Sequence, residues 1–282
     1  MRPPGGRQRL GAAACALQLS LAALLPAAQA QEKVPQPSAQ PRVGVLADPC
    51  LEDPDTWRGN PDAWRELDWG QRCRYWRENT RLVAAGTARV VFIGDSITEA
   101  WGQADPQLFT HGILNRGIGG QTSDQMRVRF RSDVIDLEPR VVHIMAGTND
   151  VAGNTGPTSL AFVQGNIRSM VEEALLHHIR VVIAAIPPAA HIPWRGEIER
   201  PDLTIAAMGE WLRAYARCQH VEFVDYGAVL GDGRGGIKPG LSFDGLHPTP
   251  AGYALMTPVA RAAVARALSQ PAPAKPRIGC GK

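Results

Sequence analysis

The sequence predicts an α/β fold: a parallel sheet of about five strands with helices on both faces. Two observations carry this. Short runs rich in β-branched residues alternate with longer segments whose apolar residues recur at helical spacing. The chain is also long enough, at about 250 residues beyond its first segment, to bury one large core. No internal repeat is visible.

Taken in order, buried strands are expected at residues 89–93, 112–115, 141–145, 181–186 and 221–224. The run ending in Val90-Val91-Phe92-Ile93 leads straight into Gly94-Asp95-Ser96. Between the strands lie amphipathic helices. Leu160, Val163, Ile167, Met170, Val171 and Ala174 share one face, after a cap at Thr158 or Ser159. Pro201 opens the next helix, with Ile205, Met208, Leu212 and Tyr215 inward. The last begins at Thr249 as N-cap and Pro250 at N1, and places Met256, Val259, Ala260, Ala263 and Val264 on one side. The tail, 271–282, is Pro-rich and expected to be loose except where Cys280 pins it.

Residues 1–30 read as a secretory signal. Arg2, Arg7 and Arg9 make a positive start, an apolar run follows from Leu10 to Leu25, and Ala28-Gln29-Ala30 is an A-x-A cleavage site. The run is short for a membrane span; an uncleaved anchor is the rival. Export to the periplasm or medium, with cleavage near Ala30, is the expectation. This segment holds three of the 30 Lys+Arg and none of the 27 Asp+Glu, so the remainder carries 27 of each. Nothing global then points to nucleic acid or an acidic membrane surface. The cluster Arg127, Arg129, Arg131 is expected to be a solvated helix face. Residues 31–41 are polar and Pro-rich and read as a disordered linker.

Residues 42–87 hold four of the seven tryptophans. Trp69, Cys73, Trp76, Thr80 and Val83 recur at helical spacing, which predicts an apolar face packed on the main domain, 88–270. The sharper alternative has a tryptophan reaching the mouth of a site to stack on a sugar. Besides Cys15 in the leader there are four cysteines, an even count that suggests two disulfides in an exported protein. Cys50–Cys73 and Cys218–Cys280 are favoured because each pair lies at one end of the chain. The cysteines have no metal-ligand spacing with the histidines, and no cofactor is expected.

Four stretches carry chemistry. Ser96, after Gly94-Asp95, stands on a strand-to-helix turn where its hydroxyl can act as nucleophile and its N–H can meet an oxyanion. Asn115-Arg116-Gly117-Ile118-Gly119-Gly120 allows close backbone approach, with Gly117 offering an N–H. Gly147-Thr148-Asn149-Asp150 follows a strand, and the Asn149 amide is a neutral donor. Asp244-Gly245-Leu246-His247-Pro248 follows a Gly-rich loop over 231–240; its carboxylate can orient one imidazole nitrogen while the other faces Ser96. Asp95 and Asp150 are read as loop-holding residues and His143 as a satisfied core histidine. His191, in the loop after the fourth strand, is a candidate to line the cleft.

Each stretch alone has a bland explanation as a turn or cap. Together, in this order, they resemble the SGNH hydrolases, also called GDSL esterases or lipases. Ser96, Gly117, Asn149 and His247 match the four namesake residues. The resemblance spans roughly 88–268 and implies a flavodoxin-like three-layer sandwich and metal-free ester hydrolysis. It implies catalytic residues Ser96, Asp244 and His247 and an oxyanion hole from Ser96, Gly117 and Asn149. Substrates of this family include acetylated sugars, lysophospholipids, aryl esters and thioesters. A short acyl group on a small molecule or glycan is the first expectation, because the loops after Ser96 and Asn149 provide no long apolar tunnel. A long-chain lysophospholipase or thioesterase, an acyltransferase, and a catalytically silent glycan-binding domain are the alternatives.

Overall fold

The computed structural model describes residue 50 and residues 68–281. The expected leader, cleavage site and linker, Trp57 and Trp64 lie outside the described residues. The elements run α1 (Trp76–Ala85), β1 (Val90–Gly94), α2 (Ser96–Ala104), β2 (Ile113–Gly117), α3 (Ser123–Asp133), a 3-10 turn (Ile135–Leu137), β3 (Val141–Met145), α4 (Thr148–Val151), α5 (Leu160–Leu176), β4 (Arg180–Ala185), α6 (Pro201–Gln219), β5 (Glu222–Asp225), α7 (Gly227–Leu230) and α8 (Pro250–Ser269).

The five strands form one parallel sheet in the order β2-β1-β3-β4-β5. The chain leaves β1 toward β2, then returns to place β3 on the other side of β1. That reversal opens a crevice beyond the C-terminal ends of β1 and β3, where open α/β sheets bind ligands. Right-handed crossovers put α2 on one face and α3, α5 and α6 on the other. α8 joins α2: Trp101 Nε1 donates to Thr257 Oγ1 at 3.0 Å, and the Tyr253 hydroxyl donates to Ile97 O at 2.8 Å.

The sheet core is apolar because both faces are covered; every residue of β1 and β3 is buried. His143 sits in it as expected, stacked on Phe92 with Nε2 2.8 Å from the Tyr226 hydroxyl. Burial pushes this imidazole down to about 3, so it is neutral. Ser159 caps α5 and Thr249 caps α8, and Pro201 stands at the start of α6. Both favoured disulfides, Cys50–Cys73 and Cys218–Cys280, are formed.

Four expectations need correction. Arg129 is not on a solvated face: it is fully buried, with bonds to Gln121 Oε1 (2.5 Å), Asp133 Oδ2 (2.8 Å) and Gly94 O (3.0 Å). A buried guanidinium is tolerable because its charge is paired and its donors are used. The apolar face expected around Trp69–Val83 is also absent. The helix begins only at Trp76; Val83 is 52% exposed, and the buried residue is Asn79. Asn79 donates to Asp133 Oδ1 at 2.7 Å and accepts from Arg116 Nε at 3.0 Å, a polar seam in place of an apolar one. Leu160, at the first turn of α5, faces solvent. The Pro-rich tail is held at more than Cys280: Gln219 and Arg277 exchange two bonds.

Candidate active site

β1 delivers the nucleophile candidate. Gly94 is required sterically: a Cβ there would lie 2.0 Å from Thr98 Oγ1 and 3.0 Å from Met145 O. Asp95 caps α2 by accepting from Ile97 N at 2.9 Å. Ser96 is therefore the first helical residue, and its N–H is one of the outward donors that a helix leaves unsatisfied at the positive end of its dipole.

The partner arrives from the other end of the chain. Ser96 Oγ lies 3.0 Å from His247 Nε2, and His247 Nδ1 lies 2.8 Å from Asp244 Oδ2. The second Asp244 oxygen accepts from the backbone N–H groups of Leu246 and His247 at 3.0 and 2.8 Å. Burial raises the affinity of the Asp244 carboxyl for its proton, but the bonds from His247 and these two amides outweigh it and hold it below its ordinary value. The carboxylate thus fixes the tautomer with Nδ1–H, leaving Nε2 as an acceptor for the serine proton.

The Gly-rich loop after β2 lies beside Ser96: a Cβ on Gly119 would be 3.8 Å from Ser96 Cβ. Here the structure corrects the assignment of Gly117. Its N–H donates to Asn115 Oδ1 at 2.8 Å and is not available to a ligand. The N–H of Gly119 is used as well, by Glu99 Oε2 at 2.8 Å. The Gly120 N–H has no partner among the described residues. Gly120 has φ +78°, a left-handed conformation that glycine adopts without strain.

Asn149, in α4 beyond β3, donates one amide hydrogen to Gln121 O at 3.0 Å and keeps a second. Its Oδ1 accepts from Asn154 Nδ2 at 2.7 Å, which settles which end of the amide bears the nitrogen. Asp150 holds the neighbouring loop as expected, through Ser123 N (2.9 Å) and Ser123 Oγ (2.5 Å). Burial raises its carboxyl above the ordinary value against those two bonds.

Two neighbours escaped the sequence reading. Trp194, in the loop between β4 and α6, places its ring 5.9 Å from that of His247. Asn154 binds Gly120 O, Asn149 Oδ1 and the Trp194 indole N–H. The only signal was position: both lie in loops that follow strands on the site edge. His191 does reach the site, packed so closely on Gly245 that a Cβ there would meet its ring at 2.5 Å. Trp76 lines a separate cavity of about 820 Å³ at the opposite sheet edge, and Trp69, 40% exposed, accepts from Gln125 Nε2 through its backbone carbonyl at 2.8 Å. No group of three or more His, Cys, Asp or Glu side chains suited to a metal ion occurs among the described residues.

Residues 92–255 match the GDSL-like lipase/acylhydrolase family. The chain is 41% identical to a candidate acylhydrolase from Bacteroides fragilis of known structure, over 71% of this chain and 99% of that one, with a TM-score of 0.69. A GDSL-like lipase from Bacteroides thetaiotaomicron is 40% identical over 71% of this chain and 100% of its own, with a TM-score of 0.68. An uncharacterized lipoprotein of Bacillus subtilis, YqeF, is 39% identical over 80 residues, which cover 27% of this chain and about a third, 32%, of that protein. The chain belongs to the GDSL-like lipase/acylhydrolase family, the SGNH hydrolases.

Proposed function

We propose that this protein is an exported serine esterase that removes short acyl groups, acetyl first among them, from small-molecule or glycan esters. The observation that carries the proposal is the unbroken chain Ser96 Oγ–His247 Nε2, His247 Nδ1–Asp244 Oδ2, at 3.0 and 2.8 Å.

In this mechanism His247 Nε2 takes the Ser96 proton as Oγ attacks the ester carbonyl. The Asp244 carboxylate stabilises the imidazolium that forms. The oxyanion is met by the N–H of Ser96, the N–H of Gly120 and the second amide hydrogen of Asn149. When the tetrahedral intermediate collapses, the C–O bond breaks and His247 gives its proton to the departing alcohol. Water, activated by the same imidazole, then attacks the acyl-serine and restores Ser96.

The short-acyl preference rests on the loops that border the crevice. Asn154 is bonded to Asn149 and to Trp194, and Trp194 lies beside His247, so this border of the crevice is polar and aromatic and is not a continuous apolar wall. Among the described residues no helix covers the crevice as an apolar lid. Export is supported by the leader-like residues 1–30, by the two disulfides and by the lipoprotein among the relatives. No helix among the described residues is long and apolar enough to cross a membrane.

Initial rates on p-nitrophenyl esters from acetate to palmitate test this reading. Rates should be highest at acetate and fall steadily with chain length. A maximum at long chains would replace it with a lysophospholipase or thioesterase.

A further inference from the structure

The position of Trp194 bears on which half of the substrate it touches. In the mechanism proposed above, on which this inference rests, the leaving alcohol takes its proton from His247 Nε2. The alcohol oxygen must then lie at that nitrogen, and the group attached to it must lie against whatever borders the imidazole. That neighbour is the Trp194 ring, 5.9 Å away and inclined by 31°. The carbonyl oxygen, by contrast, is drawn toward Asn149 and Gly120, with the acyl carbon at Ser96 Oγ.

The indole is also held in advance. Its Nε1–H donates to Asn154 Oδ1 at 3.0 Å, and Asn154 is itself anchored to Asn149 and Gly120. With its polar edge satisfied, what Trp194 offers outward is ring face; the residue is 42% exposed. A ring fixed this way adds contact area with little further loss of rotamer freedom. Its neighbours are polar: the His247 ring on one side and the Asn154 side chain at its N–H. An apolar platform with a hydrogen-bonding rim suits a ligand that is apolar on its face and polar at its edge. An alkyl chain needs continuous apolar walls instead.

We infer that Trp194 forms the wall of a leaving-alcohol subsite that takes a carbohydrate ring, with the sugar's C–H face stacked on the indole. Trp194 is in this view a specificity-determining residue that reads the alcohol and not the acyl group.

The test compares two esters with the same acetyl group: an acetylated methyl glycopyranoside and ethyl acetate. kcat and KM are measured for the wild type, Trp194→Ala and Trp194→Phe. Loss of the ring should lower kcat/KM on the sugar ester by about tenfold, mostly through KM, and change ethyl acetate by less than about threefold. Trp194→Phe keeps a stacking face and loses the Nε1–H bond, so it should hold the sugar ester within about threefold of wild type. Equal losses on both esters would overturn the inference, because the indole would then act through Asn154 and Asn149 on the chemistry itself. An unchanged sugar ester in Trp194→Ala would overturn it as well. A wild type that hydrolyses neither ester would instead remove the esterase reading, and the subsite with it.

Discussion

The Tyr75 hydroxyl donates to the carbonyl of Gly117 at 2.5 Å, across 42 residues of sequence. Through this contact the segment before α1 supports the Gly-rich loop. It is not alone: Gln121 Nε2 donates to Gly70 O, Arg74 pairs with Glu99 at 3.6 Å, and Glu99 holds Gly119 N. The segment is tied by the Cys50–Cys73 disulfide two residues before Tyr75. Tyr75→Phe removes one bond, worth about 1 kcal/mol. It should lower Tm by only about 2–4 °C. Because the loop carries the Gly120 amide, kcat should fall by roughly threefold to tenfold with KM nearly unchanged. An unaltered kcat would show that the loop holds its position without Tyr75.

In the mechanism we propose, Asn149→Ala removes one oxyanion donor. The expected cost is about 3 kcal/mol of barrier, or roughly a hundredfold or more in kcat. Asn154→Ala removes only the group that orients that amide, so its effect on kcat should be smaller while lying in the same direction. Steady-state kinetics on p-nitrophenyl acetate rank the two variants. The reverse order would shift the central role from Asn149 to Asn154.

Asp95 titrates in an unfavourable place. Burial, working against the bond from Ile97 N, pushes its carboxyl up from 3.8 to about 6. A raised carboxyl means the folded state holds its proton longer than the unfolded chain does. Stability from this group therefore falls as pH rises from about 4 through 6, by about 3 kcal/mol in all. Asp95→Asn keeps an acceptor for Ile97 N and removes the charge. Relative to wild type, the variant should gain stability between pH 4 and pH 7.5, as measured by denaturant unfolding. A difference independent of pH would mean that Asp95 has an ordinary carboxyl.

The Cys218–Cys280 bridge closes a separation of 62 residues at the end of α6, remote from the strand ends that carry the site. Replacing both cysteines by serine should cost about 4 kcal/mol on the chain-entropy argument. Activity at low temperature should be retained. Loss of kcat in the folded variant would imply that the tail influences the crevice.

Much of this was legible in the sequence, for physical reasons that differ by element. The strands announced themselves because a parallel sheet buried on both faces is mostly apolar, as Val90–Gly94 is throughout and Val141–Met145 is except for His143. The pairing of Asp244 with His247 is local, three residues apart, so spacing alone exposed it. Arg129 was misplaced because charge argues for solvent unless a partner is known. Its partners, Gly94 O and Gln121, meet it only in the folded chain. Gly117 failed for a related reason. Sequence offers each glycine N–H equally, and only the fold places the Asn115 side chain under one of them. Trp194 and Asn154 belong to loops whose course no periodicity encodes.

In the mechanism we propose, Ser96 is the activated nucleophile. The most direct measurement is covalent labelling of the purified protein with a fluorophosphonate, followed by peptide mapping. A single adduct is expected on Ser96, absent from Ser96→Ala and strongly slowed in His247→Ala. Folded protein that takes no label, or carries it on another residue, would rule out Ser96 as the nucleophile and favour a binding domain built on the same fold.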